Sequence, residues 1–218
     1  MAVEATFCFV DMAGFTALTE AHGDEDAAEL ATRFAELARA ALGPSDRLVK
    51  TMGDAVLVTS PEPGAALDFV ASVFERAACE AGFPVLRAGL HHGRAVGRGD
   101  DVFGSAVNVA ARVAALARGD QVLATVLVAD VARGRGLEVI ELGPTRLRNV
   151  REPIALHAVT LGARSDAVAI DPVCRMRVSP PTAAGWLRHR GAQHWFCSLA
   201  CAAAFAREPD AFACVAER

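Results

Sequence analysis

The hydrophobic pattern opens with an apolar run over residues 7–10 that ends on a carboxylate, Asp11. Side chains along a strand alternate between its two faces, and here both the odd and the even positions are apolar. That pattern is typical of a central strand covered on both sides. We therefore predict a buried first strand with Asp11 standing at its end.

The remaining pattern predicts alternating helices and strands. Apolar residues recur with helical period over 24–42, 64–81, 105–117 and 126–133. Strands are predicted over 47–50, 55–60, 84–91, 121–125, 138–142 and 154–161, with a hairpin turn at 51–54. This order favours an α+β fold, a ferredoxin-like, antiparallel-rich sheet with helices packed on one face.

The last quarter of the chain differs in composition from the rest. Residues 162–169 are small and polar and are predicted to be a linker between a domain at 1–161 and a small Cys-containing domain at 170–214. Four of the six cysteines fall in that second domain, which in a reducing compartment favours metal binding over disulfides. Cys8 and Cys79 have apolar neighbours and are predicted to be core residues.

Charge and hydropathy exclude several classes of protein. The chain has 218 residues and a net charge of −4, without a run of Lys or Arg, which argues against a nucleic-acid polymer as partner. No apolar stretch approaches the roughly 18 residues of a membrane span. Because the first strand is predicted to begin close to Met1, we expect no signal peptide, no membrane contact and a cytoplasmic location.

Two carboxylates are candidate metal ligands. Asp11 and Asp54 each follow or adjoin a predicted strand at a turn, so both reach the same sheet edge if the first strand neighbours the hairpin. Paired carboxylates suit hard cations that also bind phosphates. The amides of Gly14, Phe15 and Thr16 come next and could cradle phosphates. The simpler alternative is that Asp11 caps an ordinary strand-to-helix turn.

Asn108 and Arg112 form a second candidate group. They are four residues apart on a predicted helix and therefore share a face, between small apolar residues. A solvent-facing polar stripe is the alternative interpretation. Lys50 is a further candidate, four residues before Asp54 on the other side of the hairpin turn.

Together these segments resemble the catalytic domain of class III nucleotidyl cyclases, the adenylyl and guanylyl cyclases. The motifs lie at 9–16, 50–54, 89–93 and 101–112, and the resemblance covers about residues 4–161. It implies that Asp11 and Asp54 bind two Mg²⁺ or Mn²⁺ ions per active site. It also implies that Asn108 orients the ribose and that Arg112 stabilises charge on the α-phosphate.

The resemblance also has implications for which nucleotide is bound and for the oligomeric state of the chain. Lys50 and Asp101 match the family's adenine-reading pair, because a lysine donor and a carboxylate acceptor fit the edge of adenine, whereas guanylyl cyclases typically use Glu with Cys or Ser. ATP is therefore expected over GTP. Arg148, with Arg151 as the alternative, matches a phosphate-binding lysine. The family divides these residues between two subunits, which implies a homodimer.

The tail resembles the small YHS domain, a family linked to heavy-metal handling. The matching residues are Cys174, Cys197, Cys201 and their aromatic neighbours within 170–212. Three thiolates with one more ligand would suit Zn²⁺ or Cu⁺. The fourth ligand is left open among His189, His194, Cys214 and water. The family usually has Gly where Arg175 stands, and a packing module without metal is the alternative.

The expected activity is that of an adenylyl cyclase, converting ATP to 3′,5′-cyclic AMP and pyrophosphate and tuned by a metal-binding tail. Two other interpretations stay open. One is a nucleotide-binding regulator without catalysis, and the other is a heavy-metal sensor or carrier dimerised by a cyclase-like domain.

Overall fold

The computed structural model describes residues 1–162 and 168–216, with side chains up to residue 212. Most of the predicted linker at 162–169 and the side chain of Cys214 therefore lie outside the described residues. Among the described residues, no helix has the length and apolar character needed to cross a membrane. The elements of the first 162 residues are β1 (Ala2–Met12), α1 (Phe15–His22), α2 (Asp24–Ala41), β2 (Arg47–Met52), β3 (Ala55–Ser60), α3 (Pro63–Cys79), β4 (Leu86–Arg98), β5 (Asp101–Phe103), α4 (Ser105–Leu116), β6 (Val122–Thr125), α5 (Val126–Gly134), β7 (Val139–Thr145) and β8 (Ile154–Val159).

One twisted sheet organises these elements, in the order β2-β3-β1-β4-β6-β8-β7, with β5 paired to the end of β4. The strands pair antiparallel except β4 with β6, which is parallel. This is the antiparallel-rich α+β fold that the sequence predicts. The first strand lies between β3 and β4, which confirms its central position.

Helices cover both faces of the sheet, so the prediction that they pack on one face is wrong. The even-numbered residues of β1, including Cys8 and Val10, pack in a cluster with residues of α2, α3 and α5. Phe7 on the opposite face packs against Ala106 and Ala110 of α4. The cause is the apolar character of β1 on both faces, which demands cover on each side.

Several boundaries differ from the prediction. Residues 51 and 52 belong to β2, so the hairpin turn contains only Gly53 and Asp54. The helix α1 and the strand β5 were not predicted, because both are too short to show a period. Cys8 is fully buried, but Cys79 is exposed, because it is the last residue of α3.

The tail packs directly against the first part of the chain. Its elements are β9 (Ala169–Ile170), β10 (Arg177–Val178), a 3₁₀ turn (Pro180–Thr182), β11 (Gly185–His189), β12 (Ala192–Phe196), α6 (Leu199–Arg207) and α7 (Pro209–Ala216). Phe196 and Phe205 of the tail share a buried cluster with Leu18 of α1 and Ala27 of α2. Backbone hydrogen bonds add to this contact: the Val85 amide donates to the Arg175 carbonyl at 3.1 Å, and the Arg177 amide donates to the Phe83 carbonyl at 3.1 Å.

Candidate active site

The first group of site residues lies where β1 ends. Asp11 pairs in register with Ala55 of β3, the residue after Asp54. The Met12 amide donates to the Asp54 carbonyl at 3.1 Å, which ties the end of β1 to the hairpin turn. The structure therefore brings the two carboxylates to one sheet edge, as expected from their positions after apolar strands.

Arg87 is a partner of Asp11 that the sequence reasoning missed. It stands opposite Asp11 on β4, and its Nε and Nη2 atoms lie 2.5 and 3.0 Å from the two carboxylate oxygens. Burial raises the pKa of Asp11, and the Asp54 charge acts in the same direction, whereas Arg87 opposes both. The sequence does contain a signal for this pair, because Arg87 is a charged residue within an otherwise apolar strand. Such a residue needs a partner of opposite charge.

The predicted phosphate-binding amides belong to the first turn of α1. Gly14 stands at the N-terminal boundary of that helix with φ 77°, a left-handed conformation that favours glycine. A Cβ at Gly14 would lie 2.6 Å from Cγ of Arg175, a residue of the tail. Gly14 and Thr16 are exposed and Phe15 is half-buried, so this turn is open to solvent on one side and packed against the tail on the other.

The second group centres on Lys50 and Asp101. The Lys50 ammonium lies 2.8 and 2.7 Å from the two oxygens of the Asp101 carboxylate. Both side chains keep about a third of their surface exposed, at 38% and 34%. The Lys50 hydrogen bonds, joined by one from the Val102 amide, lower the pKa of Asp101 and keep it ionised. The two predicted base-reading residues are thus in contact and accessible.

Asn108 and Arg112 lie on α4 as predicted. Asn108 is exposed, and Arg112 is half-buried. The Arg112 Nε donates to the backbone carbonyl of Arg148. The loop that carries Arg148 is held against α4 because Leu147 packs in a buried cluster with Val109 and Val113. Arg148 therefore lies beside Arg112. No described contact places Arg151 beside Arg112.

Within one chain, no described contact joins the two groups. Lys50 bonds to Asp101, whereas Asp11 bonds to Arg87. Among the described residues, no hydrogen bond or ion pair joins the carboxylates at 11 and 54 to Lys50, Asp101, Asn108 or Arg112. The described contacts within one chain thus form two separate groups, which we call half-sites.

The three cysteines of the tail also come together. Sγ of Cys197 lies 3.4 Å from Sγ of Cys174 and 3.7 Å from Sγ of Cys201. The neighbouring thiols and burial raise the pKa of Cys174. The sequence reasoning missed the fourth group of this cluster, His22 at the end of α1, whose Nε2 atom lies 3.5 Å from Sγ of Cys197.

The expected fourth ligands are engaged elsewhere or not described. His189 Nε2 lies 2.7 Å from an oxygen of Asp210, and His194 stacks on Phe205 with 4.8 Å between ring centroids. The side chain of Cys214 lies outside the described residues. His22 lies 152 positions before Cys174, so spacing along the chain carried no signal for it.

Sequence comparison identifies relatives of the chain. It is 40% identical over 164 residues to a pH-sensitive adenylate cyclase of Mycobacterium tuberculosis, covering 73% of this chain and 41% of that protein. It is 37% identical over 126 residues to an adenylate cyclase of Streptomyces coelicolor, covering 56% and 32%. The chain thus spans less than half the length of these relatives.

Structural and family comparison agree with this result. An adenylate/guanylate cyclase/hydrolase from Silicibacter pomeroyi superposes with a TM-score of 0.65 at 25% identity, covering 73% of this chain and 98% of that one. The model of the adenylate and guanylate cyclase catalytic domain matches residues 2–160. That match covers well over half of the chain, which therefore belongs to the family of adenylate and guanylate cyclase catalytic domains.

Proposed function

We propose that the chain is an adenylate cyclase that converts ATP to 3′,5′-cyclic AMP and pyrophosphate. The observation that carries this proposal is the contact between Lys50 and Asp101, which places a donor and an acceptor side by side on an accessible surface. The named relatives support the same activity, since two of them are adenylate cyclases. In the reaction the ribose 3′-oxygen attacks the α-phosphorus, its proton leaves, and the bond to the β-phosphate breaks.

Base selection follows from the chemistry of the Lys50–Asp101 pair. Adenine presents a ring-nitrogen acceptor beside an amino donor, so lysine can donate to the first and the carboxylate can accept from the second. The two side chains now bond to each other, and the entering base takes over both hydrogen bonds. Guanine presents the reverse order and would leave the lysine and the carboxylate without hydrogen-bond partners on the base, so ATP is preferred to GTP.

Asp11 and Asp54 are the residues that would hold Mg²⁺ or Mn²⁺. Their fit rests on geometry and donor chemistry: β1 and the hairpin turn bring both carboxylates to one end of the sheet, and carboxylate oxygens are ligands that hard cations prefer. Arg87 bonds to both oxygens of Asp11, so a bound cation would compete with Arg87 for that carboxylate. When bound, the two ions supply charge neutralisation at the triphosphate and a lower pKa at the 3′-hydroxyl.

The remaining residues position and stabilise the reacting groups. Asn108 is exposed on α4, one turn before Arg112, which suits a role in holding the ribose. Arg112 is held by the Arg148 carbonyl, so its guanidinium is oriented before substrate arrives. Arg148 lies beside it and is our choice for a phosphate contact, and the amides of Gly14, Phe15 and Thr16 would add donors to the phosphates.

A homodimer would complete each site. No described contact joins the carboxylate half-site and the base-reading half-site within one chain, and two chains related by a twofold axis can form two equivalent sites. The surface next to the Lys50–Asp101 pair supports this assembly. Val96 and Phe103 are 48% and 52% exposed there, and Lys50 Nζ lies 5.9 Å from the centre of the Phe103 ring. A second copy of the chain is the occupant that we propose for this apolar surface.

The test is to incubate the purified chain with ATP and Mn²⁺ and to measure cyclic AMP and pyrophosphate in equal amounts. Arg112→Ala is expected to lower kcat about 100- to 1000-fold, the range seen when one donor to a transition-state anion is removed. Arg118→Ala, on the exposed turn after α4, is the matched control and should leave kcat unchanged. No cyclic AMP from the wild type, or equal kcat for Arg112→Ala and wild type, would contradict the proposal.

A further inference from the structure

Four side chains outside the two catalytic half-sites converge on one point. One ligand atom each from His22, Cys174, Cys197 and Cys201 lies within 4.8 Å of all the others. The three thiols come from the tail, and the imidazole comes from α1 of the cyclase domain. Cys174 and Cys201 are fully buried, and the other two are half-buried.

The distances fit a tetrahedral cation. With bonds of about 2.3 Å to sulfur and 2.0–2.1 Å to nitrogen, tetrahedral angles put two thiolates about 3.8 Å apart and a thiolate and an imidazole nitrogen about 3.6 Å apart. Two of the three sulfur pairs lie 3.4 and 3.7 Å apart, and His22 Nε2 lies 3.5 and 3.8 Å from Sγ of Cys197 and Cys201. The separations of Cys174 from Cys201 and from His22 are within 4.8 Å. The same sulfur separations are far longer than the roughly 2.05 Å of a disulfide.

We propose that His22, Cys174, Cys197 and Cys201 bind one Zn²⁺-type cation, which bridges the cyclase domain and the tail. Three thiolates and an imidazole are ligands that Zn²⁺ prefers, and they do not suit Mg²⁺. With four protein ligands the site is closed, which is characteristic of structural rather than catalytic zinc. Its role is to hold the two parts of the chain together.

A buried carboxylate fixes the geometry of this cluster. Asp171 is completely buried, and its Oδ1 atom accepts from the Val173 amide at 2.8 Å and more weakly from the Cys174 amide at 3.5 Å. Its Oδ2 atom accepts from the Cys197 amide at 2.8 Å. One side chain therefore pins the backbone of two of the proposed ligands. Such supporting contacts orient the ligands and increase metal affinity.

The helix α1 carries the effect of the cation towards the active site. It has eight residues, and the tail contacts both of its ends: His22 lies in the cluster at one end, and Gly14 packs against Arg175 at the other. Arg175 directly follows the ligand Cys174 in the chain. Fixing His22 therefore fixes the helix whose first turn offers amides to the phosphates. That consequence for ATP rests on the proposed function, whereas the metal site itself does not.

The test uses the full chain, reduced and stripped of metal, titrated with Zn²⁺ in a large excess of Mg²⁺ that occupies the oxygen sites. Wild type is expected to bind one Zn²⁺ per chain. His22→Ala should bind it at least about 10- to 100-fold more weakly, which is the loss typical even for a supporting residue. His189→Ala is the matched control, because that histidine belongs to the tail but pairs with Asp210, and its Zn²⁺ affinity should equal that of wild type.

Two further readouts test the bridge. The Co²⁺-loaded wild type should show the intense visible spectrum of tetrahedral cobalt with thiolates, and that spectrum should change in His22→Ala but not in His189→Ala. Hydrogen exchange over α1 should slow when Zn²⁺ binds to wild type and should not respond in His22→Ala. Equal Zn²⁺ affinity in His22→Ala and wild type, or no Zn²⁺ bound by the reduced wild type, would overturn the proposal.

The effect on ATP is measured separately. If the bridge orders the phosphate-binding turn, Zn²⁺ should lower the KM for ATP in wild type and leave it unchanged in His22→Ala. A chain that binds Zn²⁺ through His22 but makes no cyclic AMP would contradict the proposed function and leave the metal site standing. An active chain with a KM independent of Zn²⁺ would limit the bridge to a structural role.

Discussion

The carboxylate pair and the cysteine cluster are both candidate metal sites, and they differ in every property that governs metal choice. Asp11 and Asp54 offer oxygen atoms at one end of the sheet, and no described contact joins them to the base-reading residues of the same chain. His22 and its three cysteines offer soft atoms that surround one point, and one chain supplies all four. The first group offers two protein ligands, and the second offers four.

On our proposals, this difference lets one chain bind two kinds of cation at separate sites. A catalytic ion must leave coordination positions for the substrate, so its protein ligands are few and come from an accessible edge. A structural ion needs every position filled by protein, which requires parts of the chain that are distant in sequence to meet. The helix α1 links the two sites, since one of its ends lies beside each.

The largest expected effect is on activity and comes from removing one carboxylate of the catalytic site. The same variant tests whether the two metal sites are independent. Asp54→Ala should lower cyclic AMP formation about 1000-fold or more, because the metal ions lose a carboxylate ligand and the triphosphate loses the charge neutralisation that those ions supply. The Zn²⁺ content per chain should stay at the wild-type value. Asp100→Ala, an exposed carboxylate in the turn between β4 and β5, is the matched control for activity.

A loss of Zn²⁺ in Asp54→Ala would mean that the two sites are not independent. Wild-type activity in that variant would remove Asp54 from the metal site altogether.

A second prediction concerns the other half-site, which selects the base. Lys50→Glu together with Asp101→Cys reverses the order of donor and acceptor, so the preference for ATP over GTP should fall about 100-fold in kcat/KM. The test compares kcat/KM for ATP with kcat/KM for GTP in the same variant. An equal loss of activity with both nucleotides therefore does not change the result. An unchanged ratio would mean that these residues do not contact the base.

Much of this architecture is readable from the sequence, because the strands of the core show their period and the carboxylates stand where strands end. The placement of Asp11 beside Asp54 followed from strand order alone. The role of Lys50 with Asp101 followed only from the family resemblance, since the two lie 51 positions apart and nothing in the local pattern joins them.

What could not be predicted depends on tertiary contacts of short elements. The eight residues of α1 bury only Leu18 completely, so they show no clear helical period, and their packing depends on the tail. His22, the last residue of that helix, therefore carried no sequence signal of its contact with the cysteines. Arg175 adopts φ 65°, a conformation usual for glycine, and its side chain fills the space beside Gly14. A pattern along the chain does not record such a contact.

The smallest predicted effect tests that contact between Arg175 and Gly14. Gly14→Ala should cost about 1–2 kcal/mol for the left-handed backbone, and more because the new Cβ would collide with the Arg175 side chain. Gly82→Ala is the matched control, since Gly82 has φ 70° but nothing within 4 Å of an added Cβ. Urea unfolding should show a larger loss for Gly14→Ala than for Gly82→Ala, and the excess should vanish in an Arg175→Gly background. Equal losses of unfolding free energy in the two variants would show that the Arg175 side chain does not contact this turn.

The shared active site is tested most directly by mixing two inactive variants. Asp11→Ala lacks the metal half-site, and Arg112→Ala lacks the transition-state arginine, so each homodimer should be inactive. After subunit exchange, half of the dimers are mixed and each has one intact site of two, so about a quarter of wild-type cyclic AMP formation should return. No recovery, although exchange is demonstrated with labelled subunits, would contradict a site built from two chains.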